Sequence, residues 1–172
     1  RKKINILDIG CGNGFYGQYI RNLGFSINYI GIDKKKHPDW KQYSTHNNIF
    51  FEIDLDLITN DKLKKINDDY HIDIVFSQST LEHIKKDMRL IKLLSEIFTE
   101  SSQIHFVPAV LSFLNYFTHG YRRYNIIDIN NIVKMTEHKY NYMSLGNANS
   151  IKLYFSRLPT FQCLISEGAP AF

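Results

Sequence analysis

Nine residues constrain this chain more than any others: Ile6 to Gly14, ILDIGCGNG. An apolar run ends in an acid, and glycines follow at alternate positions, Gly10, Gly12 and Gly14. Glycine there allows positive φ and lets a ligand approach the backbone closely. Phe15 to Leu23 then reads as a helix, with Tyr16, Tyr19, Ile20 and Leu23 at helical spacing. A buried strand, a glycine turn and a helix together open a nucleotide-binding α/β domain. Such a turn can also serve only to tighten packing, so the rest of the chain has to decide.

The remaining pattern alternates strand and helix with short links. Strands are predicted at Ile4 to Ile9, Ile27 to Ile32, Ile49 to Ile53, Ile72 to Phe76 and Gln103 to Val107. Two more are predicted at Tyr142 to Leu145 and Phe161 to Ile165. Helices are predicted at Leu57 to Asn67, Leu81 to Thr99, Ser150 to Arg157 and Asp128 to His138, while His37 to Asn48, broken by Pro38, is a loop or short helix. The expected architecture is α/β: a doubly wound, mostly parallel seven-stranded sheet with helices on both faces. The 172 residues suit a single domain, 1–172, and the first strand begins so early, without a Met, that an N-terminal cap is expected to be missing.

Composition narrows the classes. A net charge of +4 with interspersed acids and bases is a weak footprint for a nucleic-acid binder. The one basic run, Lys34 to Lys36, reads as solvated. Cys11 and Cys163 match neither a zinc spacing nor a disulfide framework, so no metal site is expected and a reducing, cytoplasmic setting fits. No apolar run reaches the roughly 18 to 20 residues of a membrane span.

In a doubly wound sheet, ligands sit at the carboxyl ends of the strands, where the strand order reverses. The residues there are Asp8 with its glycines, Asp33, Asp54, the run Ser77 to Thr80 leading into Leu81-Glu82-His83, and Val107-Pro108. Asp33 lies 23 residues beyond Gly10, where a carboxylate can accept hydrogen bonds from both ribose hydroxyls. Asp54 can accept from an adenine amino group, with Phe51, Leu55 and Leu57 to cover the ring. Each acid is also open to reading as a turn or cap residue. The dinucleotide fingerprint G-x-G-x-x-G fails, because position 15 is Phe and the third glycine falls one place early. No phosphate-binding G-x-x-x-x-G-K-[ST] occurs either. A turn that need not grip phosphate suits an adenosine without phosphates, which points to S-adenosyl-L-methionine.

With these segments in order, the chain resembles the class I S-adenosylmethionine-dependent methyltransferases, small-molecule branch. ILDIGCGNG resembles the family's first motif, IGIDKKK the second and FEIDL the adenine stretch. DIVFSQSTLEHI is similar to the fourth-strand motif, and HGYRRYNIIDINNIV to a later segment. The resemblance covers about residues 4 to 138. It implies a Rossmann-like methyltransferase fold, with Asp8, Gly10 and Gly12 at the methionine moiety and Asp33 at the ribose. It also implies Asp54 and Leu55 at the adenine, Ser77 near the sulfonium and His83 facing the acceptor.

The acceptor is bounded by what is missing. No Asn or Asp followed by Pro-Pro and an aromatic stands after the fourth strand, as methylases of base amines carry, and no Pro-Cys follows it. The expected acceptor is an oxygen, or a nitrogen, of a small molecule, sugar or lipid-linked intermediate. The alternatives are an RNA methyltransferase and a non-catalytic S-adenosylmethionine-binding subunit. A general base is expected among His83, His119 and His105, and Arg122-Arg123 offers an anion clamp.

Overall fold

The computed structural model describes residues 3–45, 47–108, 120–136, 140–144 and 161–166. Five parallel strands form its centre: β1 (Ile4–Ile9), β2 (Ile27–Asp33), β3 (Asn48–Glu52), β4 (Ile74–Gln78) and β5 (Ser102–Pro108). Their order is β3-β2-β1-β4-β5. β6 (Tyr140–Ser144) and β7 (Phe161–Ser166) pair antiparallel, with β7 lying between β5 and β6. β1 is paired on both sides, Leu7 with Ile30 of β2 and with Val75 of β4. The chain builds outward from β1 to β3, then returns to start β4 on the other side. The order therefore reverses between β1 and β4, and the glycine turn leaves β1 at that point.

Period-two alternation divides the apolar residues between two faces. Leu7, Ile9, Ile30, Ile32 and Val75 pack with α3 (Asn60–Tyr70), α4 (Asp87–Ile97) and α5 (Ile126–Thr136) through Leu63, Ile66, Leu90, Leu94 and Ile132. Ile6, Ile27 and Tyr29 pack on the opposite face with Tyr16 and Ile20 of α1 (Phe15–Asn22) and with Trp40, which opens α2 (Trp40–Tyr43). Helices thus cover both faces. Gly17 lets α1 lie close, since a Cβ there would stand 2.8 Å from the Tyr29 ring.

The helix expected over Leu81 to Thr99 is broken. Leu81–His83 forms a 3-10 turn, and α4 starts only at Asp87. In a continuous helix the Lys86 N–H would donate to the Glu82 carbonyl. Here Lys86 N–H donates to Asp56 Oδ1 at 3.1 Å, and Glu82 O accepts from Tyr121 N–H at 2.5 Å. Both partners are taken by other elements, so the helical ladder cannot run through. The helix expected at Ser150 to Arg157 lies outside the described residues. Among the described residues, no helix is long and apolar enough to cross a membrane.

Candidate active site

The glycine turn is tied to β2. Gly10 and Cys11 both donate backbone N–H bonds to the Ile32 carbonyl, at 2.8 and 3.0 Å. Gly10, Gly12 and Gly14 all have positive φ, at 77, 53 and 83°. Only glycine adopts these angles cheaply. A Cβ on Gly10 would meet the Thr80 side chain at 2.2 Å, whereas one on Gly12 would meet nothing within 4 Å. The backbone at Gly12 is therefore open to close approach.

Asp33 ends β2, half-buried, beside this turn. Its Oδ2 accepts the Gly12 N–H at 2.9 Å, and Lys35 N–H reaches its Oδ1 at 3.4 Å. Asp54 stands exposed after β3, with Oδ1 accepting the Asp56 N–H at 2.9 Å, and Leu55 behind it is buried. Gly10, Asp33, Asp54 and Leu55 line one cavity of about 510 Å³. His83, Ile84, Gly120 and Tyr121 line it as well. The structure thus joins four of the residues expected at the cofactor with the histidine expected at the acceptor.

Asp8, Gly12 and Ser77 lie outside that lining. The Asp8 carboxyl is buried under the turn and accepts a bond from the Tyr29 hydroxyl. Burial pushes its pKa up to about 7, the Tyr29 bond opposes this, and the Asp33 charge adds to it. Ser77 is fully buried, its Oγ 2.8 Å from His105 Nδ1. Ser79 and Thr80 line the cavity instead. β4 runs to Gln78, two residues past its expected end at Phe76, which carries the strand tip along by two positions. Ser79 holds φ 48° there.

The three expected histidines separate. His83 lines the cavity from the 3-10 turn, its side chain 41% exposed. Its Nε2 is 4.0 Å from Oε1 of Glu82, a carboxyl so buried that its pKa is raised. His105 is sealed between Ser77 and Gln103, and burial lowers its pKa to about 4. Buried and away from the cavity, it cannot reach an acceptor there, so it is no base. His119 lies outside the described residues. Arg122 is no clamp either: its Nε pairs with Asp87 at 2.9 Å and its second nitrogen with Asp128 at 3.3 Å. Burial raises the Cys11 thiol pKa, which keeps the sulfur protonated, a filler rather than a nucleophile.

Sequence reasoning placed Ser79 and Thr80 at the strand end without a role, read Lys34 as solvated, and gave no place in the site to Asp56, Ile84, Gly120 or Tyr121; all seven line the cavity. Gly120 had a usable signal, a glycine just ahead of aromatic and basic residues. Its φ is 78°, and a Cβ would meet the Glu82 carbonyl at 2.8 Å, so only glycine lets this segment close onto the 3-10 turn.

A family model described as a methyltransferase domain matches residues 7–100. The chain belongs to this family of S-adenosylmethionine-dependent methyltransferases. No curated protein sequence matches it. Solved structures share the methyltransferase fold at low identity. A phosphoethanolamine N-methyltransferase from Haemonchus contortus, in complex with S-adenosylmethionine, aligns at 13% identity with a TM-score of 0.67, over 98% of this chain and 49% of that one. The chain thus spans about half the length of that enzyme. A methyltransferase from Archaeoglobus fulgidus aligns at 18% identity and TM-score 0.65, over 95% of this chain and 86% of its own. The 1,6-didemethyltoxoflavin N1-methyltransferase of Burkholderia thailandensis aligns at 12% identity and TM-score 0.66, over 97% and 72%.

The methyltransferase cavity fits its cofactor on its own terms. Its volume lies within the roughly 300–1,000 Å³ of small-molecule sites. Gly10 brings the turn to the cavity wall, and the carboxylates of Asp33 and Asp54 present acceptors to a ligand rich in hydroxyl and amino donors.

Proposed function

We propose that this methyltransferase moves a methyl group to an oxygen or nitrogen of a small molecule, on a seven-stranded sheet completed by β7 and β6. The observation that carries this reading is one cavity running from Asp33 to His83 and Tyr121. Asp33 would hold the ribose, Asp54 and Leu55 the adenine, and the backbone of Gly10 and Gly12 the methionine end. Asp8 supports the turn from below, and Ser77 sits behind the β4 tip. S-adenosylmethionine supplies a methyl group already activated on a sulfonium. The protein's share is then orientation, worth about 7–11 kcal/mol when alignment is good.

His83 would take the proton from the acceptor, with His119 as the other candidate from sequence. The N-methyltransferases of similar fold, acting by name on phosphoethanolamine and 1,6-didemethyltoxoflavin, favour a small acceptor. So does the cavity itself, since Asp33, Asp54 and Asp56 line it and would repel a nucleic-acid backbone. The test is S-adenosylhomocysteine release with panels of small amines and hydroxyl compounds, run beside bulk RNA. Turnover with a small molecule is expected. Methyl incorporation confined to RNA would contradict the reading.

A further inference from the structure

The chain has one tryptophan, Trp40, and it stands in a polar stretch where no core residue was expected. It is 3% exposed. Its ring stacks on Phe50 of β3, with centroids 5.1 Å apart and planes at 13°. Phe50 in turn fills the place of a Cβ on Gly14, at 2.5 Å. This aromatic pair walls the glycine turn from the α1 face of the sheet.

The indole makes one directed contact: Nε1–H donates to the Gly12 carbonyl at 2.8 Å. Gly12 needs such a contact. Its φ is 53°, and nothing packs where its side chain would be. Its orientation therefore depends on hydrogen bonds, the N–H to Asp33 Oδ2 and the carbonyl to Trp40. The Cys11 sulfur, 3.9 Å from the same carbonyl, is a much weaker donor. A chain of two bonds thus runs from Trp40 through Gly12 to Asp33, which faces the cavity.

We propose that Trp40 is a positioning residue of the cofactor site. Its N–H holds the Gly12–Asn13 peptide and so restrains the backbone angles of Gly12, which aim the N–H of the preceding peptide at the Asp33 carboxylate. This rests on reading Asp33 as the ribose ligand. The Trp40→Phe variant keeps a flat ring on Phe50 but loses the N–H together with part of the buried indole.

A lone tryptophan gives a single indole N–H cross-peak in a proton–nitrogen correlation spectrum. In the native chain that peak is expected to move when S-adenosylhomocysteine saturates the site. In Trp40→Phe, calorimetry is expected to show S-adenosylhomocysteine bound about five- to tenfold more weakly, the loss of one hydrogen bond. The Tm of the free variant is also expected to fall, because the smaller ring leaves a void in a buried site, so affinity and the native indole peak are the deciding readouts. An indole peak unmoved at saturation overturns the proposal, and so does a variant that binds as tightly as the parent, whatever its Tm. Should the variant fail to fold, the native indole peak decides alone. A native chain that binds no S-adenosylhomocysteine would instead overturn the cofactor reading beneath it.

Discussion

Asp8 and Asp33 end neighbouring strands, yet their surroundings separate them. Asp33 reaches the cavity, while Asp8 lies under the turn with the Tyr29 hydroxyl as its partner. Folding raises the Asp8 pKa from 3.8 to about 7. Between those values the folded chain holds a proton that the unfolded chain has released. Stability from Asp8 is therefore full below about pH 4 and falls as pH rises toward about 7, levelling off above it. Asp8→Asn keeps an acceptor for Tyr29 and removes the charge. Its Tm relative to the parent is expected to rise steadily across that window, by about 2–4 °C for each kcal/mol involved. Thermal melts from acid to neutral pH check this. A difference that stays flat with pH contradicts the assignment. None of this was legible in the sequence, where Asp8 was the acid before the glycines, placed by resemblance at the methionine moiety. Its burial depends on Tyr29, which lies one strand away.

At the scale of elements, the 3-10 turn after β4 matters most, because it carries His83 into the cavity. Apolar spacing at Leu90, Ile91, Leu94 and Ile97 correctly signals α4, but the same spacing gives no hint of where the helix starts. That start is set by Asp56 and Tyr121, which take the bonds a longer helix would use. The identity of the cavity residues turned on a similar point. A two-residue shift of β4, to Ile74–Gln78, puts Ser79 and Thr80 at the strand tip and leaves Ser77 buried against His105. His105 itself was a fair candidate base by strand position, and only its burial removes it. Of the three histidines considered as a base, His83 is the one within the described residues that lines the cavity, and we propose it for that role. His83→Ala is expected to lower turnover by about 10²- to 10⁴-fold while S-adenosylhomocysteine binds nearly as before. Single-turnover rates beside calorimetry separate the two effects. A variant with parental turnover would move the base elsewhere, with His119 next in line.

Across the whole molecule, a parallel sheet with helices on both faces follows from alternating strands and helices and could be read from hydrophobic pattern, whereas the order β3-β2-β1-β4-β5 comes from the structure. The placing of β7 between β5 and β6 could not, because an antiparallel insertion leaves no local mark. The switch point between β1 and β4 is what converts separate strand-end residues into one site. Asp33 and Asp54 come from strands on one side of it, and Thr80 and His83 follow a strand on the other. The central claim is that this constellation holds S-adenosylmethionine through Asp33. Calorimetric titration of S-adenosylhomocysteine into the parent and into Asp33→Ala tests it most directly. The parent is expected to bind one equivalent, and the variant to bind at least about tenfold more weakly, as for loss of hydrogen bonds to a charged group. No binding by the parent, or equal affinity in Asp33→Ala, would contradict the account.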